Sequence, residues 1–323
     1  MIEIDGSHGE GGGQIIRTSM TLSAITKKPV RISNIRANRP NPGLQMQHLT
    51  AVKAVRNICR GTLEGAELGS TSLTFVPGDI IGGNYDFNIL TAGSTSLVAQ
   101  TIIPIALCAE KPSVFRIIGG THVMKSPSYD YLEKIFVPAI RLFGANVTCE
   151  LLKSGYYPRG GGEIEIKVHP SKLAAPKSFE SEKDVSVFIR LSNLPLSIGI
   201  REKKIFVQND IETVKIREEQ AVDPGNALIA WAGLRGAYSL GEKSKRAEVV
   251  AQEAYDEIIA ALDYDIDKHL ADQLLVYAAL SEGKTSFTCP EITDHLKTNA
   301  EILSKFVERK IRLDEKNKTV IID

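Results

Sequence analysis

One arrangement recurs three times along this chain: a helix, a short break, a strand, a polar loop, a second helix, then two strands joined by a turn. The first copy is the clearest. After a short strand at 2–4, residues 19–26 read as helix and Lys28-Pro29 breaks it. Residues 30–35 alternate as a strand, the loop 36–43 follows, and 44–59 return to helical spacing with Leu49, Val52 and Val55 on one side. Gly61 stops that helix, and the β-like runs 62–68 and 72–76 flank the turn signal Gly69-Ser70. The second copy runs through a helix at 96–108, a break at Lys111-Pro112, a strand at 113–118, a loop at 121–127, a helix at 129–143 closed by Gly144, and strands at 146–152 and 163–168. The third has helices at 270–280 and 296–307 around a strand at 285–288 and a loop at 290–295, and ends on strands at 310–313 and 319–322. Such a unit cannot bury both helices and a sheet face alone, so three copies are predicted to pack around shared cores in an α/β (α+β) fold.

Residues 178–265 do not fit a fourth copy. A strand at 186–191, a charged helical stretch, a strand at 227–231 and a helix at 244–262 with Val250, Ala254, Ile258 and Leu262 on one face read as an inserted small α/β domain. The predicted division is therefore a repeat-built catalytic domain at 1–177 and 266–323 and an insert at 178–265. The matching mid-loops fall at equivalent ends of their units, where they can converge on one site.

Charge narrows the partners. The 39 basic residues balance 39 acidic ones, so contact with nucleic acid must come from a local cluster of cations, and a long sequence-blind duplex footprint is disfavoured. The four cysteines lie far apart with no Cys-x-x-Cys pair, which predicts buried, reduced thiols. The N-terminal residues do not form a signal peptide and no apolar run reaches a membrane span, so the expected location is cytoplasmic, with no membrane partner.

Four segments carry chemistry. Gly9-Glu10-Gly11-Gly12-Gly13-Gln14 has the glycine density that lets backbone approach an anion, but neither Walker nor G-x-G-x-x-G spacing. Glu10 in such a loop makes sense beside phosphates if a divalent cation stands between them, and otherwise reads as a solvated glutamate. Arg36 and Arg39, in a Pro- and Asn-rich loop, can fork onto a terminal phosphate, with Gln47 and His48 adding neutral donors; a solvated loop fits the same composition. His295 stands where a loop turns into a helix, as a candidate nucleophile, yet spacing alone does not raise it above His8, His48, His122 or His269. In His269-Leu270-Ala271-Asp272-Gln273-Leu274, Asp272 and Gln273 can meet a ribose or base edge or simply complement a helix dipole.

Taken together, DGSHGEGGGQIIRTS (5–19), IRANRPNPGLQMQHLTAVKA (35–54), TAGSTSLVAQT (91–101), HLADQL (269–274) and DHLKTN (294–299) closely resemble the RNA 3′-terminal phosphate cyclase family over nearly the whole chain. The resemblance implies repeated βαβαββ-type units as in enolpyruvyl transferases, with a thioredoxin-like insert. It implies ATP and a divalent metal, Mg or Mn, acting on RNA with a 3′-phosphate end to form a 2′,3′-cyclic phosphate through an AMP-histidine intermediate. On that likeness His295 takes AMP and Glu10 helps hold the metal. Arg17 and Gln100 lie near the nucleotide phosphates, and Arg36, Arg39, Gln47 and His48 match the phosphate-binding set. Pro127, Tyr131, Asp272 and Gln273 match the adenosine pocket, and His269 stands where some members stack a tyrosine on adenine, which implies altered base selection without loss of activity. A homodimer is compatible with the resemblance. Non-catalytic relatives that act in ribosome assembly lack the nucleophilic histidine and parts of the phosphate set, and an enolpyruvyl transferase would not account for the DHLKTN run.

Overall fold

The first two repeats have the same topology, strand for strand. In the computed structural model, which describes residues 1–9, 11–179 and 182–323, the first comprises β1 (Ile2–Asp5), α1 (Gly13–Thr26), β2 (Val30–Ser33), α2 (Met46–Ile58), β3 (Thr62–Glu64) and β4 (Leu73–Val76). Its sheet has the order β1-β2-β4-β3, with β1 and β2 parallel and the other pairs antiparallel. The second comprises β5 (Asn84–Asn88), α3 (Thr95–Leu107), β6 (Ser113–Gly119), α4 (Tyr129–Tyr131), α5 (Val137–Leu142), β7 (Asn146–Lys153) and β8 (Gly162–His169), in the order β5-β6-β8-β7. A π-helical turn at Leu132–Phe136 joins α4 to α5. Pro138, at the start of α5, supplies no N–H for the carbonyl four residues back at Lys134 and its ring crowds it, which accounts for the widened turn.

The segment between the second and third repeats builds a fourth sheet from β9 (Ser186–Ser192), α6 (Leu196–Val207), β10 (Val214–Glu219), β11 (Gly225–Ala232), β12 (Arg235–Leu240) and α7 (Ala247–Ala261). Its order is β10-β9-β11-β12, with only β10 and β9 parallel. The last repeat follows as α8 (Lys268–Leu280), β13 (Thr285–Thr288), α9 (Asp294–Phe306), β14 (Ile311–Asp314) and β15 (Thr319–Ile322), in the order β13-β15-β14. Its sheet therefore keeps the pattern of the others without their first strand.

Burial explains the assembly. One apolar cluster runs through all three repeats, from Ile4, Ile32 and Phe75 through Phe115, Ile164 and Ile166 to Phe287 and Ile322, while the fourth sheet has its own around Ile189, Phe206, Leu228 and Ile258. The two meet partly through apolar contact, since Ile229 and Leu234 join the first cluster, and partly through a buried ionic seam. Arg190 on β9 donates through Nε to Asp130 on α4 at 2.8 Å and through Nη1 to Glu219 on β10 at 2.9 Å. His122 Nε2 lies 3.0 Å from the same Asp130, and the Tyr156 hydroxyl donates to Glu219 at 2.8 Å. Burial raises the Asp130 pKa, but the hydrogen bonds and charges of His122 and Arg190 outweigh it and hold the carboxyl well below its ordinary range. Removing one member of such a network typically costs about 3–5 kcal/mol, because a buried charge is left unpaired.

Several local expectations need correction. Helix α1 starts at Gly13 and not at residue 19, since Ile15 and Ile16 already face the core and the glycines before them conceal the helical stripe. Strand β5 escaped notice because Asn and Asp alternate with Tyr85 and Phe87, whose rings stack on Phe115 at 5.5 and 6.4 Å. The thiols are all free, but Cys108, expected to be buried, is exposed past the end of α3. Among the described residues no helix is long and apolar enough to cross a membrane.

Candidate active site

Three helix N-termini meet at one place, each from a different stretch of sequence. The glycine-rich loop ends in α1, with Gly9 and Gly11 at φ of 54° and 60°. A Cβ on Gly9 would collide with the Thr298 hydroxyl, so the loop lies directly on α9. A Cβ on Gly13 would collide with the His48 ring, so the starts of α1 and α2 abut. Amide groups at such termini face outward without helical partners and favour anions. Glu10 lies outside the described residues.

The side chains then form a connected chain. Gln14, in the first turn of α1, donates from Nε2 to Asp272 Oδ2 on α8 at 2.6 Å, and its Oε1 lies 2.6 Å from His295 Nδ1 on α9. An amide oxygen only accepts, so Nδ1 of His295 carries the proton and Nε2 of the neutral ring keeps its lone pair. The three helices are locked beneath this chain: Thr18 donates to Asn299 Oδ1 at 2.8 Å, and Asn299 donates to the Asp272 carbonyl at 2.7 Å.

Electrostatics keep His295 neutral. Burial lowers its pKa most; Asp272 opposes this, and the charges of Arg17 and Arg39 add to the lowering. Arg17, half-buried on α1, is brought by burial to about 10 with Asp272 acting against the fall, so it is a cation at neutral pH. His48 is lowered to about 3 by burial, then by Arg17 and Arg36. Its Nδ1 accepts the Gln45 backbone N–H at 3.2 Å within a capping box, so the proton sits on Nε2. That N–H points toward Gly13.

Of the residues singled out in the sequence, Arg17, Gln100, Asp272 and Gln273 line a small cavity of about 60 Å³ together with Gln14 and Asn299. Gln100 donates to Gln273 across it at 2.6 Å. Gln47 accepts the Ser94 N–H at 3.0 Å and so fastens the start of α2 to the start of α3. Arg36 spends Nη1 on the carbonyls of Asn41 and Gly43, holding its own loop closed. Pro127 and Tyr131 are buried; the Tyr131 hydroxyl donates to both oxygens of Asp267 at 2.8 Å, and Asp267 in turn caps α8 by accepting the His269 and Leu270 N–H groups. Tyr131 thus supports the helix that presents Asp272 and Gln273 and exposes no surface of its own. His269, with 40% of its side chain exposed, reaches Glu257 on α7 at 2.9 Å with its ring 6.0 Å from Tyr238. Sequence reasoning gave no role to Gln14, Thr18 or Asn299. Gln14 directly after the glycines, at a helix start facing the cavity, was the available signal.

The family model for RNA 3′-terminal phosphate cyclase matches residues 8–313. The chain belongs to the RNA 3′-terminal phosphate cyclase family. It is similar to proteins of that name from Archaeoglobus fulgidus, at 40% identity over 99% of this chain and 100% of the relative, and from Sulfurisphaera tokodaii, at 43% over 97% and 96%. A third, from Methanosarcina barkeri, is 39% identical over 98% of this chain and 97% of its own. Among solved structures, the enolpyruvyl transferase NikO from Streptomyces tendae covers 99% of this chain and 47% of its own at 10% identity, with a TM-score of 0.43. Within the cyclase family match, the DHLKTN run is the first turn and a half of α9 and delivers His295 to Gln14.

Proposed function

We propose that this cyclase-family chain uses ATP to convert an RNA 3′-terminal phosphate into a 2′,3′-cyclic phosphate, with residues 1–177 and 266–323 as the catalytic domain and 178–265 as an insert. The observation that carries the reading is the His295–Gln14–Asp272 chain, which fixes the imidazole tautomer that a phosphorus nucleophile requires. His295 Nε2 attacks the α-phosphorus of ATP; the N–P bond forms, the bond to the bridging oxygen breaks, and pyrophosphate leaves. Gln14 Oε1 accepts the Nδ1–H hydrogen bond, which strengthens as the ring becomes cationic. An oxygen of the RNA 3′-phosphate next attacks the same phosphorus, breaks the N–P bond and gives RNA(3′)pp(5′)A with a free histidine. The 2′-hydroxyl then attacks the 3′-phosphorus, loses its proton and expels AMP. Arg17, Arg39 and the His48 N–H offset charge building on phosphoryl oxygens.

Among the described residues no group of three or more His, Cys, Asp or Glu side chains forms a metal cage. Glu10, which the family resemblance offers as metal ligand, lies outside the described residues; a divalent ion shared by one carboxylate and the substrate phosphates would neutralise phosphate charge. Four free thiols suit a reducing cytoplasm. The test is incubation with α-labelled ATP and Mg or Mn. Label should stay on the protein through an acid-labile, base-stable bond, and 3′-phosphorylated RNA should then acquire a phosphatase-resistant end. Labelled protein that never yields such an end would assign the AMP to a different acceptor.

A further inference from the structure

A second and much larger cavity, about 1080 Å³, opens between the second repeat and the fourth sheet. It exceeds the roughly 300–1,000 Å³ of pockets that hold one drug-sized ligand, which suits more than one nucleotide. The rings of His122 and Tyr156, 5.3 Å apart, line its base, and both belong to the buried ionic seam through Asp130, Arg190 and Glu219. The two walls are therefore fixed relative to each other. Along one wall Met124 and Tyr157 are 50% and 75% exposed, so the Tyr157 ring is open to a ligand.

The other wall is basic. Among the described residues, Arg201, Lys243, Lys245 and Arg246 line it with Glu242 as the one carboxylate, in a chain whose formal net charge is +0. Arg201 is paired with Glu248 at 2.6 Å, and Lys245 with Glu253 at 2.5 Å and Glu242 at 3.8 Å, which leaves the positive character of the wall to Lys243 and Arg246, exposed in the loop that enters α7. At its near end the cavity is lined by Gln47, the neighbour of His48, whose ring abuts Gly13 of the adenylylation site.

We infer that this cleft receives the single-stranded nucleotides on the 5′ side of the RNA's terminal phosphate, with backbone phosphates at Lys243 and Arg246 and a base stacked on Tyr157. This deepens the cyclase reading and rests on it. Charge complementarity, an exposed aromatic platform and continuity with the phosphate site through Gln47 all select a single strand, since stacking on aromatics beside a cationic track is how such strands bind without sequence preference. The segment between the repeats thereby acquires a role, supplying the basic wall.

The test measures fluorescence anisotropy of 3′-phosphorylated RNA, a dinucleotide and an oligonucleotide of about six residues, on the full-length chain. The wild type should favour the longer RNA by at least about tenfold. In Lys243→Ala/Arg246→Ala that advantage should largely vanish, and the slope of log K against log salt should fall by about 1.4. Tyr157→Ala should weaken the longer RNA by about fivefold or more without changing the salt slope. Thermal melts establish that each variant is folded. Equal affinity for the two lengths in the wild type, or an unaltered length advantage and salt slope in the double variant, would overturn the assignment. Cyclic-end formation on the dinucleotide is scored separately: its absence in the wild type strikes at the activity, while length and salt dependence of binding still decide the cleft.

Discussion

His48 and His295 stand in the first turns of α2 and α9, helices from two different repeats, and face one site, yet their rings hold the proton on opposite nitrogens. A backbone N–H donates to Nδ1 of His48, so its Nε2 is a donor; an amide oxygen accepts from Nδ1 of His295, so its Nε2 is a lone pair. Both are kept neutral, chiefly by burial and further by arginine charge. The difference teaches that a single hydrogen-bond partner decides which imidazole offers an N–H toward the site and which a lone pair. Residue type is the same in both, and each ring stands in a first helical turn, His48 as the third residue of α2 and His295 as the second of α9.

The sharpest way to break this comparison is to remove each ring in turn. His295→Ala should abolish AMP transfer, a loss of at least about 10⁴-fold, as expected when a covalent nucleophile is deleted. His48→Ala should still become labelled, with a rate lower by about 10²-fold, the usual scale for one lost donor to developing charge. Labelling followed by peptide mapping distinguishes the two. Label retained in His295→Ala and lost in His48→Ala would reverse the roles.

Next in size is the partner that sets the tautomer. Gln14→Leu should slow AMP transfer by about 10²–10³-fold, within the range for loss of acid-base positioning. It should also change the ¹⁵N chemical shifts of His295, because the Nδ1–H form is no longer enforced. A slow enzyme with the wild-type ¹⁵N pattern would mean that Gln14 acts otherwise than through the tautomer.

The contrast also shows how far the residues could be read without coordinates. The repeats, their breaks and most helices were legible because apolar spacing and Gly or Pro punctuation are local properties. Strands β10 and β12 were not: both are edge strands, β10 keeps only Val214 and Ile216 among charged residues, and β12 is buried at nearly every position whatever the residue type, so neither carries a sustained alternating apolar signal. At the site, His295, Arg17 and Asp272 were reachable through motif resemblance. The tautomers were not, since they depend on Gln14 meeting a histidine 281 residues away and on the Gln45 N–H turning back onto His48. Tyr131 illustrates the converse: its motif position suggested the adenosine pocket, while the fold buries it against Asp267 as the support of α8.

A smaller effect concerns stability in acid. The folded-state pKa of His48 lies at about 3 against 6.5 for an exposed histidine, so between those values the unfolded chain binds the proton and the folded chain does not. The stability held above pH 6.5 is therefore lost progressively as pH falls toward 3, by up to about 5 kcal/mol. His48→Gln cannot titrate and should flatten that part of the profile in urea melts. An unchanged slope would mean that His48 is not the group that resists protonation.

The smallest expected effect tests the shared arginine field at the other ring. In the proposed mechanism AMP transfer needs neutral His295, so its rate should fall as pH drops through the depressed pKa of that group, below the ordinary 6.5. Arg39 contributes to the depression after burial and Arg17, so in Arg39→Ala the midpoint should move back up toward 6.5 and the variant should lose proportionally more activity in mild acid. In Asp272→Asn the anion that opposes the depression is gone, and the midpoint should move the other way. Each shift is modest because burial is the largest cause and neither substitution alters it. Single-turnover labelling across the acidic range, normalised to each protein's plateau, separates these displacements from a uniform loss of rate. Midpoints that move together in both variants would mean that the titrating group is not the imidazole flanked by these two charges.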